Sequence, residues 1–380
     1  MIKSANRLNT VQEYYFSKKL REVRALSTQG KPIINMGIGS PDLQPPSKVI
    51  EAIQQAVVTE GAHKYQSYQG LPEFREAVAG FYKNNYNVDL SPDNEILPLM
   101  GSKEGILHIS MAFLNKGDKV LIPNPGYPTY TSVTNLVEAT PVFYELTSEN
   151  NWEPDFEQLA QEDVSNIKMM WVNYPHMPTG AKATQILFEK LIAFGKKHQI
   201  LIINDNPYSF VLNNNPLSIL GVNGAKETAI ELNSLSKSFN MAGWRVGMLL
   251  GAKPILEEVL KVKTQMDSGM FYGIQQGAIA ALKVSSSWFS EMNDVYEKRR
   301  KLVWEIADAL ECSYDKNTSG MFVWAKTPEG VKAESMVDHL LYNKDIFIAP
   351  GSIFGSSGEG YIRFSLCVSE EKIKEALERL

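Results

Sequence analysis

TAIELNSLSKSFNMAGWRVGMLLGAK, residues 228–253, sets two short apolar runs, Thr228 to Leu232 and Val246 to Leu250, around a serine-rich polar stretch carrying a lysine and an arginine. The same rhythm extends toward the amino terminus. Strand-like runs recur at Glu95 to Leu99, Lys119 to Ile122, Ile167 to Val172 and Ile200 to Ile203, with helical patterns between them. The six runs end in GSKEG, PNPGYP, NYPHMPTG, NDNPYS, NSLSKS and GAK. Short apolar strands alternating with helices predict a mostly parallel sheet with crossover helices over roughly residues 95–252. Ligands of such sheets sit outside the carboxyl ends of the strands, so most of these stretches can face one pocket.

At 380 residues the chain is long for a single core, which suggests a large domain and a smaller one. Beyond Ser287, apolar Met292, Val295, Leu302, Ile306 and Leu310 fall near helical spacing and read as one long amphipathic helix. A strand-like GMFVWAK, a helix around Ser335 to Tyr342, IFIAPGSIFG, YIRFSLC and a charged helix from Ser369 follow, the mixed α+β pattern of a second lobe. Hydrophobic residues make up 44% and charged residues 21%, an ordinary globular balance. The net charge of -5 comes without a basic block, so neither nucleic acid nor an anionic membrane is an expected partner. The opening MIKSANRLNTV lacks the features of a signal peptide, and no apolar run approaches the length of a membrane span. Cys312 and Cys367 are too few for a disulfide framework or a four-ligand zinc site. The expectation is a cytoplasmic protein with two buried thiols, no metal, and small molecules or other subunits as partners.

Five segments carry chemistry. In NSLSKSFNMAGWRVG, Ser234, Ser236, Lys237 and Arg245 suit an imine-forming amine beside a bound phosphate, since burial and nearby cations favour the neutral, nucleophilic amine. Taken alone, Ser-Lys also fits a solvated surface lysine. GSKEG follows a strand and precedes an apolar helical run, where a helix amino terminus with Ser102 can bind a phosphate or simply be a capped helix start. In NDNPYSF, Asp205 can keep a pyridine nitrogen protonated and Tyr208 can donate to a ring phenolate, or the pair can be a turn with a packed tyrosine. Tyr127 of PNPGYPTY can stack on a planar cofactor or pack in its loop. Arg363, inside the apolar strand YIRFSLC, needs a partner: a substrate carboxylate or an internal salt bridge.

Assembled, these residues make the chain resemble the class I and II aminotransferases, fold-type I pyridoxal-phosphate enzymes of the aspartate-aminotransferase kind. The resemblance runs in order through INMGIGSPD, YQSYQGLPEFREAV, GSKEG, PNPGYPTY, NYPHMPTG, NDNPYS, SLSKSFNMAGWRVG, IAPGSIFG and YIRFS. It implies that Lys237 binds pyridoxal 5'-phosphate as a Schiff base and shuttles the proton. Ser234, Arg245, Ser102 and the Lys103 backbone are implied phosphate contacts, Asp205 the pyridinium partner, Tyr208 the phenolate donor and Tyr127 the stacked ring. Arg363, helped by the backbone at Gly39, is the implied binder of the substrate α-carboxylate. Tyr65 matches the tyrosine that reaches the phosphate of the neighbouring subunit, so a homodimer with shared sites is expected. The implied fold is α/β, a helix-sandwiched, mostly parallel sheet in a large domain (47–285) with a smaller α+β domain from both chain ends (1–46 and 286–380).

The chain departs from the family at Met177, where Met-Pro-Thr-Gly replaces Asn-Pro-Thr-Gly and a phenolate donor is lost, because a thioether cannot donate. Tyr208 alone, His176 or a water can compensate, or the chemistry is altered. The expected reaction is transfer of an amino group between an L-amino acid and a 2-oxo acid. A C–S β-lyase of the same fold uses the same lysine and remains the alternative, as does a non-catalytic cofactor-binding homologue. QMDSGMFYGIQ resembles the alanine and diaminopimelate branch, and no second arginine for a distal carboxylate stands out. Alanine, methionine, aromatic and diaminopimelate-like substrates all stay open.

Overall fold

In the computed structural model, which describes residues 2–11, 13, 15–161 and 163–380, the strands are β1 (Ile34–Asn35), β2 (Ile96–Leu99), β3 (Lys119–Asn124), β4 (Thr140–Glu145), β5 (Ile167–Val172), β6 (Leu201–Asp205), β7 (Ala229–Ser234), β8 (Gly247–Leu250), β9 (Ser313–Tyr314), β10 (Phe322–Lys326), β11 (Ile346–Phe347), β12 (Ala349–Pro350) and β13 (Tyr361–Ser365). Seven of them form the large sheet in the order β2-β8-β7-β6-β5-β3-β4. Its β3, β4, β5, β6 and β7 pair in parallel, and β8 runs antiparallel between β7 and β2.

The apolar runs are continuous because both faces of the sheet are covered. Met170, Val172 and Ile202 point to a core shared with Leu187, Phe188 and Leu191 of the helix Gln185–His198 and with Phe74 and Val78 of the helix Pro72–Tyr86. Their strand neighbours Met169, Trp171 and Ile203 point the other way, to Ile106 and Ile109 of the helix Ser102–Phe113 and to Leu256 and Val259 of the helix Lys253–Lys263. That alternation is the two-residue period of a pleated strand.

All six expected runs are strands, and β4 is an addition. Its sequence, TPVFYE, is mostly exposed or half-buried at the sheet edge, so it shows no apolar run, and an edge tolerates Pro141. Three strands, β3, β6 and β7, run on further than the apolar pattern. The last residues of β6 and β7 are therefore Asp205 and Ser234, which places a carboxylate and a hydroxyl at the carboxyl edge of the sheet.

Around β10, strands β9, β13 and β12 make a smaller antiparallel sheet, and β1 pairs in parallel with β11. One hydrophobic cluster joins Phe16, Val23, Ile34 and Met36 to Met292, Val303, Ile306, Val337, Phe364 and Ile373, so both ends of the chain build this lobe. The helix Ser286–Ala309 buries Met292, Tyr296, Arg299, Val303 and Ile306, steps of four and three that keep one face inward. Arg299 is accommodated there by a bidentate pair with Asp42, at 2.7 and 2.8 Å. Ser369 caps the terminal helix Glu370–Glu378, and both cysteines are buried free thiols. No helix among the described residues is long and apolar enough to cross a membrane.

Candidate active site

Between the carboxyl edge of the large sheet and the small lobe lies a cavity of about 570 Å³. Its lining brings together Gly39, Ser102, Lys103, Tyr127, Asp205, Tyr208, Ser234, Lys237, Arg245 and Arg363. Tyr65 is not among them: it lies on a loop, 90% exposed.

Asp205 is buried at the end of β6. Tyr130 donates to its Oδ2 at 2.8 Å, while Oδ1 is buried with no hydrogen-bond partner. Burial pushes this carboxyl up to about 7, against the opposing pull of the Tyr130 hydrogen bond. Lys237 follows β7 closely and donates from Nζ to the carbonyl oxygen of Gly39. Burial lowers its pKa, and the guanidinium groups of Arg363 and Arg245 add to the fall. The phenol of Tyr208, 6.0 Å from ring centroid to Lys237 Nζ, is held protonated by burial. Tyr127 meets Tyr130 edge-on, with centroids 5.5 Å apart.

A cluster of donors occupies the edge between β2 and β7. Ser102 is the first residue of its helix and Gly101 the N-cap, so Ser102 is not itself the cap. Gly101 has φ +90, and the Arg245 guanidinium fills the place where a Cβ would sit. Any other residue at 101 would thus be strained and would clash. Ser234 Oγ accepts from the Ser236 amide at 3.0 Å, and burial together with Arg245 lowers the pKa of Lys103.

On the opposite wall Arg363 is buried in β13, donates to the carbonyl of Gly37 at 2.8 Å and lies 3.3 Å from the sulfur of Met177. Its guanidinium carbon sits 3.9 Å from the centroid of the Phe322 ring. Gly39 is set just as closely, since a Cβ there would meet the Phe322 ring. Met177 itself lines the cavity and its amide donates to Asn173 Oδ1 at 2.9 Å. Of the two side chains that can replace the donor missing at 177, Tyr208 faces the cavity. His176 does not: its Nδ1 lies 2.8 Å from Thr179 Oγ1, and burial lowers its pKa to about 3.

The model of the family described as aminotransferase class I and II matches residues 31–380. An LL-diaminopimelate aminotransferase of Halothermothrix orenii is 40% identical over 100% of this chain and 98% of its own length. One of Aquifex aeolicus is 39% identical over 100% and 99%. The chain belongs to the class I and II aminotransferases. A solved aminotransferase from Staphylococcus aureus superposes on it with a TM-score of 0.90 at 32% identity, covering 99% of this chain and 98% of that one. As an aminotransferase it moves an amino group between an amino acid and a 2-oxo acid.

Pyridoxal phosphate, the cofactor this family uses, fits the residues present. The unpartnered Oδ1 of Asp205 is what a protonated ring nitrogen requires, and the donor cluster at Ser102, Ser234 and Arg245 is what a phosphate requires.

Four further residues of this aminotransferase were missed in the sequence. Tyr130 orients Asp205, and Asn173 donates to its carbonyl oxygen. Glu231, fully buried in β7, accepts from Tyr82 at 2.8 Å and from Asn204 at 3.1 Å. Asn233 in turn donates to the Tyr82 hydroxyl at 2.8 Å and accepts from the Ser234 amide at 2.7 Å, which ties the donor cluster to the core. A carboxylate inside the apolar run Thr228 to Leu232 was the available signal, since such a group requires partners. Glu104, His108 and Asp267 also approach one another within 4.8 Å, but Lys263 donates to Asp267 at 2.9 Å and already supplies the cation there.

Proposed function

We propose that this aminotransferase works with pyridoxal 5'-phosphate, held covalently by Lys237, in a cytoplasmic homodimer whose two sites are shared between subunits. The buried, unpartnered Oδ1 of Asp205 carries the reading, because a lone carboxyl oxygen at the sheet edge invites a protonated nitrogen. When bound, the cofactor supplies an electron sink for the substrate carbanion. Everything else falls to the chain. Lys237, with its lowered pKa, is the amine that attaches and, once released, the base that takes the proton from the substrate Cα. Asp205 holds the ring nitrogen protonated, Tyr208 donates to the ring oxygen, and Tyr127 stacks on the ring. Ser102, the Lys103 backbone, Ser234 and Arg245 hold the phosphate. Arg363, with the backbone at Gly39, fixes the α-carboxylate so that the Cα proton points toward Lys237.

The division into residues 1–46, 47–285 and 286–380 belongs to the same proposal, supported by the cluster that unites Phe16 and Met36 with the C-terminal lobe. Two buried free thiols suit a reducing compartment. As to substrate, the names of the two relatives keep diaminopimelate-like compounds in view beside alanine, methionine and aromatic amino acids. Borohydride reduction of the purified protein is expected to fix the cofactor on Lys237. A peptide map that puts the adduct on another lysine, or finds none, ends the reading.

Tyr65 supports the shared site: it is exposed on the single chain and absent from that chain's own cavity. Mixed dimers of Tyr65→Phe and Lys237→Ala chains should contain one site with both lesions and one with neither, so activity should recover on mixing. If verified subunit exchange leaves the mixture as impaired as its components, Tyr65 plays no part across an interface.

A further inference from the structure

One strand away from Asp205 lies a second buried carboxylate. Glu231 is fully buried in β7, and in the parallel register of β6 with β7 it stands opposite Asn204, as Leu232 stands opposite Asp205. Side chains alternate along a strand, so Glu231 and Asn204 share one face of the sheet while Asp205 points from the other face toward Tyr130. Two backbone amides fix the direction of the hydrogen bonds around Glu231. The Tyr174 amide donates to Asn204 Oδ1 at 3.1 Å, which turns the Asn204 side-chain nitrogen toward Glu231 Oε2, 3.1 Å away. The Ser234 amide donates to Asn233 Oδ1 at 2.7 Å, so the Asn233 nitrogen donates to the Tyr82 oxygen at 2.8 Å. The Tyr82 proton is then left for Glu231 Oε1, at 2.8 Å. The Ile219 amide is a third donor, 3.1 Å from Oε2. Three converging donors suit an ionised carboxylate, and none of them brings a positive charge. Burial raises the pKa of Glu231, against the pull of Tyr82, Asn204 and the Ile219 amide.

We propose that Glu231 is a positioning residue for the proton of the cofactor's ring nitrogen, its buried negative charge making Asp205 and that nitrogen together hold their shared proton. The inference rests on the pyridoxal-phosphate reading of the cavity. A like charge behind Asp205 penalises the state in which the pair has lost its proton. Tyr130, on the other face, donates to Asp205 Oδ2 and steadies the carboxylate form, which directs that proton to the nitrogen facing Oδ1. The titratable groups around Asp205 are Tyr130, Glu231, Lys237, Tyr127 and Tyr208, and those around Glu231 are Tyr82, Tyr86 and Asp205. Burial holds the five tyrosines protonated, which leaves Glu231 and Lys237 as the charged neighbours of Asp205. Burial is the largest influence raising the Asp205 carboxyl, and Glu231 adds to it while Lys237 opposes it.

The test first titrates Asp205 in the full chain freed of cofactor, by carboxyl carbon resonance with labelled aspartate and Asp205→Asn as the assignment. Glu231→Gln should lower the midpoint by at least about half a pH unit. Glu231→Asp keeps the charge and should stay within about 0.2 unit of the parent. Tyr82→Phe removes one donor and so disfavours the charge, and it should move the midpoint the same way by less. The second arm compares binding of pyridoxal phosphate with that of its 1-deaza analogue, which has carbon in place of the ring nitrogen. The parent's preference for the nitrogen ring should shrink by at least about threefold in Glu231→Gln. An Asp205 midpoint that does not move in Glu231→Gln, or that moves equally in Glu231→Asp, overturns the proposal and makes Glu231 a packing residue. Should Glu231→Gln not fold, an unmoved midpoint in Tyr82→Phe overturns it instead. If neither ring compound binds while the Asp205 midpoint still shifts, the pyridoxal-phosphate reading fails and the link between Glu231 and Asp205 stands.

Discussion

Lys237→Ala should reduce amino transfer by at least about 10²- to 10⁴-fold, the usual contribution of a positioned general base, before the loss of covalent attachment is added. The lysine stands just past β7, where its amine is half-buried and donates to the Gly39 carbonyl. Burial favours the uncharged form, so at any given pH more of the lysine is present as the nucleophilic amine than an exposed lysine would offer. Alanine removes the amine and leaves the phosphate and ring contacts standing. The variant should therefore still take up the cofactor without covalent linkage. A small primary amine added to the medium should restore part of the rate by standing in as base. A rate within tenfold of the parent would show that another group takes the Cα proton.

How far the sequence foretold this site depends on which kind of contact is at issue. Groups at the ends of strands were legible, because an apolar run that stops at a polar residue marks the edge of a covered sheet, and that is how Asp205, Ser234 and Lys237 could be put in one pocket. The strand β4 was not, since its alternating, half-exposed residues and Pro141 look like a loop until the sheet edge explains them. Glu231 was hidden differently. It reads as a break in an apolar strand, and only the fold reveals that Tyr82 and Asn204, from distant segments, supply its partners.

The same limit applies to the wall around Arg363. Phe16 lies at the opposite end of the chain from Phe322, Phe354 and Arg363, and no spacing rule connects them. Met177 shows the mixed case. Its departure from the family pattern was plain in NYPHMPTG, but the position of its sulfur 3.3 Å from the Arg363 guanidinium depends on the packing of β13 against that turn. What the sequence reads as a lost donor is, in the folded chain, also a soft neighbour to the residue that should bind the substrate.

Arg363→Ala is accordingly expected to impair substrate handling far more than cofactor retention. The guanidinium is buried among three aromatic rings and bonded to the Gly37 carbonyl, so its direction is fixed before any carboxylate arrives. Truncating one partner of a buried, hydrogen-bonded charge pair commonly costs about 2 to 5 kcal/mol. At about 1.36 kcal/mol per factor of ten, kcat/KM should fall by roughly 30- to 5000-fold. The affinity for pyridoxal phosphate, held at the other end of the cavity, should change by less than about threefold. Lysine at the position keeps the charge but loses the planar fork, so Arg363→Lys should recover only part of the loss. Steady-state kinetics, cofactor retention by absorbance and thermal unfolding of the variants decide the matter together. Parallel losses of substrate affinity, cofactor affinity and melting temperature would make Arg363 a structural pillar of the lobe interface, and the carboxylate would then have to be bound elsewhere.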